Sequence, residues 1–190
     1  FSADLTTIGV GAEFLGLASR AVWDRNCHLE LCCRMVQALG GTLKLRTDGS
    51  MLSDPQAETS KMRVLLSLIG PICVEETISI RILSAMARNS EIQLVRDLIL
   101  RVASDEAIHW RMGWVLLESL WNSAAEIEKA EVLESLEGRL QQAQARFINP
   151  RAGTRTDATK RSGAPSHPFG ALDVQQRTQI VSDSMQDIAE

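Results

Sequence analysis

Asp105-Glu106-Ala107-Ile108-His109 sets a glutamate and a histidine three residues apart within an apolar helical stripe. That stripe reads Val95, Ile99, Val102, Glu106, His109, Gly113, Leu116, Leu120. Three residues turn an α-helix by about 300°, so both side chains share one face, about one turn apart. Two more stripes keep the same alternating three-and-four spacing, which aims side chains into the core of a helical bundle. One reads Met62, Leu65, Ile69, Ile72, Glu76, Ser79, Leu83, Met86, and the other Ala18, Ala21, Arg25, His28, Cys32, Met35, Leu39. Ionisable residues interrupt each stripe at one level. Burying a charge is costly unless it is paired or binds a metal. Glu76, Glu106, His28, His109 and Arg25 therefore need a common reason to lie inside.

Outward from these stripes, the chain reads as all-α, with no strand alternation of useful length. Residues 1–8 read as the end of a helix, broken at Gly9-Val10-Gly11. A long helix is expected from Ala12 to Leu39, stopped by Gly40-Gly41. A polar loop over 42–54 contains Asp48-Gly49. The next helix is expected from Pro55 to Ala87, kinked by Pro71 one turn before Glu76. Ser90 with Gln93 reads as a capping box for a helix reaching Trp121. A charged helix follows from Ala124 to Phe147. Residues 148–172, with Pro150, Pro165, Pro168, Arg151, Arg155, Lys160 and Arg161, read as a flexible basic loop. Residues 173–190 read as a docking helix, from Val174 to Ala189. The expected division is a bundle over 1–147 with an incomplete first helix, then the loop, then the docking helix.

With 190 residues there is room for one domain with a real core. A net charge of -4 points away from nucleic acid. No apolar run approaches the roughly 20 residues of a membrane span. Cys27, Cys32, Cys33 and Cys73 form no CxxC pair and read as reduced, buried thiols, which places the chain in the cytoplasm.

Glu76 precedes Glu106 by 30 residues, with the turn near Asn89-Ser90 about halfway. Antiparallel helices then bring the two carboxylates to one level. Two-metal bundles take one Glu from each of two helices and a Glu-x-x-His from each of the other two. Carboxylate oxygens with imidazole suit iron or manganese. Asp24-Arg25-Asn26-Cys27-His28 partly copies the Asp105–His109 run, with Arg25 in the place of a second glutamate. Asp24 and Asp105 are positioned either to orient the histidines or to meet solvent. Gly113, at the same level, leaves room for a ligand or for a close helix approach.

The run Cys73-Val74-Glu75-Glu76-Thr77-Ile78-Ser79, together with Asp105–His109 and Gly113-Trp114, resembles a bacterial ferritin-like family of di-metal proteins. His28 to Gly41 is similar to the family's second bundle helix, and Phe169-Gly170-Ala171-Leu172 with the last helix to its C-terminal region. The resemblance implies a ferritin-like up-down four-helix bundle with accessory C-terminal helices. It also implies metal ligands at Glu76, Glu106, His109 and His28. The cofactor implied is iron or manganese, and the activity an oxidoreductase using dioxygen or peroxide on an unknown substrate. Two ligands do not carry over: Arg25 replaces a glutamate, and the first-helix glutamate is expected before Phe1. Glu13 is no substitute, lying about 18 Å along the helix axis from Arg25.

Three states of the site stay open at this point: two metals, one metal, or a metal-free core in which Arg25 neutralises Glu76 or Glu106. The last would make the chain a degenerate bundle with a structural or interaction role. An iron-storage cage is a further possibility. No nucleic acid or membrane is expected as partner; a homodimer and an unidentified redox partner are compatible with the reading.

Overall fold

The structure, a computed structural model, describes residues 1–42, 59–149 and 168–189. Among them are α1 (Ser2–Thr7), α2 (Ala12–Ala38), α3 (Ser60–Ser67), α4 (Glu75–Asn89), α5 (Gln93–Asn122), α6 (Glu126–Ile148) and α7 (Val174–Ala189). A π-helical segment, Leu68–Val74, joins α3 to α4. No strand occurs among the described residues, which agrees with the all-α reading. The polar loop, the helix start at Pro55 and the basic stretch Arg151 to Arg161 lie outside the described residues.

The expected stops are made by backbone chemistry. At the end of α2, Gly40 has φ +79°. Gly40 N–H donates to Gln37 O at 2.9 Å and Gly41 N–H to Val36 O at 2.8 Å. This closes the last carbonyls in a left-handed cap that glycine adopts without strain. Thr59 Oγ1 accepts from Met62 N at 3.1 Å and starts α3.

Pro71 does more than kink its helix. It lacks an N–H and its ring crowds the carbonyl four residues back, so the turn widens into a π segment across Leu68–Val74. The wide turn sets the rotation at which α4 leaves, and so the direction of Glu76.

Ser90 is not a helix cap. Its Oγ donates to Ile92 O at 3.3 Å and to Pro168 O at 3.4 Å, while Ile92 caps α5 without a side-chain bond. The reason is tertiary. Residues 168–170 return to the α4–α5 turn, and Glu91 N–H donates to Pro168 O at 3.0 Å. Gly170, at φ +76°, sits so close to α4 that a Cβ there would meet Met86 O at 2.0 Å.

Apolar clusters hold the body, and three of them tie the helices together. Leu5, Ala18, Val64, Leu68 and Leu116 join α1, α2, α3, the π segment and α5. Met62, Leu65, Leu66 and Val132 join α3 to α6. Val74, Ile78 and Ile82 pack with Ala143 of α6 and Val181 of α7. α5 packs against α2 and α4, and those two barely touch each other.

Among the described residues α2 is consequently covered on one side only. Its buried residues are Ala18, Asp24 and His28. Val22, Trp23 and Leu29 are exposed. This corrects two expectations. Arg25 is not a core residue: its side chain is 56% exposed and only its head reaches inward. Nor are the cysteines uniformly buried, since Cys32 is exposed, Cys27 and Cys33 are half-buried, and only Cys73 is inside.

Candidate metal centre

Glu76, Glu106 and His109 are all buried, and one potential ligand atom from each lies within 4.8 Å of the others. α4 supplies the first and α5 the other two, as the halfway turn implies. His28, from α2, is buried too but is not in that close set. Its Nδ1 lies 3.3 Å from Glu106 Oε1, while His109 Nδ1 lies 3.0 Å from Glu106 Oε2. Glu106 thus presents one oxygen to each histidine.

The far sides of the rings are held across the helix pair. His109 Nε2–H donates to Asp24 Oδ2 at 3.1 Å, and His28 Nε2–H to Asp105 Oδ2 at 3.1 Å. Each aspartate serves the histidine of the opposite helix. Arg20 Nε–H donates to Asp24 at 3.3 Å and Arg101 Nε–H to Asp105 at 2.9 Å, both one turn along the same helix. The orienting role left open for the two aspartates is therefore the one observed, and the solvent-facing one is not.

Arg20 and Arg101 were missed by the stripe reading, although a signal was present. Residues 20–28 and 101–109 share Arg, Asp and His at positions one, five and nine, with Arg25 matching Glu106. The arginines fall outside the apolar stripes because their stems lie on the surface, 48% and 66% exposed.

Arg25 Nη2 donates to Glu76 Oε1 and stands 3.8 Å from Glu106 Oε2. The guanidinium supplies positive charge beside the two carboxylates that could also hold a cation. Burial raises the Glu76 carboxyl well above the usual range; Arg25 opposes the rise and Glu106 adds to it. For Glu106, burial pushes upward, but hydrogen bonds with His109 and Glu76 outweigh it and hold the carboxyl low. Burial likewise works against a charged His109, yet the Glu106 and Asp24 carboxylates on its two nitrogens raise its pKa. Asp105 is kept low by His28 and Arg101 against its own burial. The metal-free centre is thus a network in which partners hold Glu106 and Asp105 as carboxylates, while burial still disfavours the charged form of Glu76.

A cleft of about 530 Å³ opens onto this network between α2, the π segment with α4, and α5. Ala18, Ala21, Pro71, Ile72 and Met112 line its apolar part. Gly113 resolves toward close helix approach: a Cβ there would stand 2.4 Å from Ile72 Cγ2 and 3.4 Å from Cys73 Sγ.

No protein-family model matches the chain, and neither the curated proteins nor the solved structures yield a match. What the site can do is decided by its own donor atoms. Carboxylate oxygens and imidazole Nδ1 atoms, with Nε2–H groups anchored on carboxylates, make a donor set that fits a hard or borderline divalent ion.

Proposed function

We propose that this chain is a ferritin-like metal-carboxylate protein, an oxidoreductase in which Glu76, Glu106, His28 and His109 hold iron or manganese. The observation that carries the proposal is Glu106 lying between two histidine Nδ1 atoms while both Nε2–H groups are fixed on aspartates. That backing sets the tautomer a metal ligand needs and raises the basicity of the free nitrogen. Bound iron or manganese would supply redox chemistry with dioxygen or peroxide. The chain's own residues do the rest. Glu76 and Glu106 neutralise the ions, the histidines complete the set, and the cleft admits a substrate of unknown identity. In the ferritin-like arrangement α2, the α3–α4 rod and α5 would be three of the four bundle helices.

A second reading is favoured by one contact. Arg25 bonds Glu76 in the place of a cation, which describes a metal-free bundle with a structural or interaction role. Elemental analysis of protein purified without chelators separates the two. About two Fe or Mn ions per chain support the two-metal site, and about one supports a single-ion version. No metal on the folded protein overturns the proposal. Arg25→Glu sharpens the comparison: metal occupancy rises if the site is a metal centre, whereas the melting temperature falls without uptake if Arg25 is the structural cation.

A further inference from the structure

We infer that the cleft over the metal centre takes an anionic substrate, an apolar molecule ending in one carboxylate, and that Arg25 receives that carboxylate. The inference rests on the metal-centre reading above and extends it to the class of substrate.

Exposure and donor count place Arg25 for this role. It lines the cleft beside Glu76, Glu106 and His109, and its side chain is 56% exposed. A guanidinium carries five N–H donors in a planar fork that matches a carboxylate. Among the described residues Arg25 makes one hydrogen bond, from Nη2 to Glu76, and stands 3.8 Å from Glu106 Oε2. Both of those carboxylates belong to the proposed ligand set. The cleft's other arginine, Arg146, bonds Glu75 instead, and that pair lies outside the set.

Charge then decides the sign of the ligand. Glu76 and Glu106 hold an ion only as carboxylates. Asp24 and Asp105 are each already shared by a histidine and an arginine. One divalent ion cancels Glu76 and Glu106, which leaves the Arg25 charge without a counter-charge, and a second ion adds to the positive excess. Bound ions are the largest local charges in such a site, and the nearby guanidinium repels them. An incoming carboxylate removes the excess through a charge-assisted, two-pronged bond. The body of the ligand follows from the walls. Ala18, Ala21, Val22, Ile72, Met112 and Phe147 are apolar, and about 530 Å³ lies within the range of small-molecule pockets.

The test titrates manganese-loaded protein, its metal content fixed by elemental analysis, with octanoate and with 1-octanol in a calorimeter. The two probes share a chain length and differ in charge. Octanoate should bind at least about tenfold more tightly than 1-octanol. Arg25→Gln, loaded to the same manganese content, should weaken octanoate about 10–100-fold, the range of a hydrogen bond to a charged group, and leave 1-octanol unchanged. Arg25→Lys should recover part of that loss, since it keeps the charge without the fork. Equal octanoate affinity in loaded wild type and loaded Arg25→Gln would seat the carboxylate elsewhere and overturn this inference alone. So would 1-octanol binding as tightly as octanoate. Folded protein that takes up neither manganese nor ferrous iron would overturn the metal-centre reading, and this inference with it.

Discussion

Arg25 and Glu106 hold the same place in two nine-residue repeats, and that difference decides the charge of the centre. Four carboxylates, Asp24, Glu76, Asp105 and Glu106, meet three arginines, Arg20, Arg25 and Arg101, with two histidines between them. The crossed pairing makes each aspartate testable at a distance from its own histidine. On the proposed metal-centre reading, Asp24→Asn should weaken metal binding about 10–100-fold through His109, measured by competition titration with a chromophoric chelator. Unchanged affinity would restrict Asp24 to its bond with Arg20. Gly113 carries a steric expectation. Gly113→Ala forces its Cβ against Ile72 Cγ2 and should cost about 1–3 kcal/mol by overpacking. Adding Ile72→Ala should recover much of that loss in a denaturant double-mutant cycle. Additive losses would show that the contact relaxes without strain.

The rod from Ser60 to Asn89 looks continuous by periodicity, and Pro71 marks only where it must bend. Whether such a bend becomes a kink or a wide turn depends on what packs beside it. Here Ile72 meets the gap at Gly113. The same rod begins with an electrostatic tie. Glu128 Oε2 accepts from Lys61 Nζ and from Ala125 N, each at 2.8 Å, joining the starts of α3 and α6. Lys61 and the Ala125 N–H hold the Glu128 carboxyl below its ordinary value of 4.5. A carboxyl lowered in the folded state binds its proton more readily when unfolded. Its stabilisation is therefore present above the unfolded value and lost as pH falls through the folded one. Glu128→Gln should lower the melting temperature at pH 7 and flatten its decline below about pH 4.5. Parallel wild-type and variant curves across that acid range would show that the tie does not contribute.

At the scale of the whole molecule, α7 belongs to the body. Val181, 1% exposed, shares a cluster with Ile78 and Ala143. Val181→Ala should cost about 2 kcal/mol, and amides in α7 should exchange through the same global opening as those in α4. Exchange of α7 at much lower free energy would mean a separately docked helix. Thiol chemistry reports the uneven coverage of α2. Ellman's reagent should reach exposed Cys32 in the native protein. Buried Cys73, whose thiol is pushed up to about 12 by burial, should react only on unfolding.

What was legible in advance is local. Periodicity, Gly40-Gly41, Pro71 and the repeated Asp and His spacing are encoded within a few residues of one another. They determine helices, their ends and which side chains share a face. Glu76, Glu106 and His109 converge because a short turn fixes two consecutive helices antiparallel. Tertiary structure alone decided that each aspartate serves the other helix's histidine, that Ser90 binds the returning segment at Pro168, and that Cys32 and much of Arg25 face outward. A helical face is buried only when a second element covers it, and the stripe of α2 carries no record of which neighbour stops short of it.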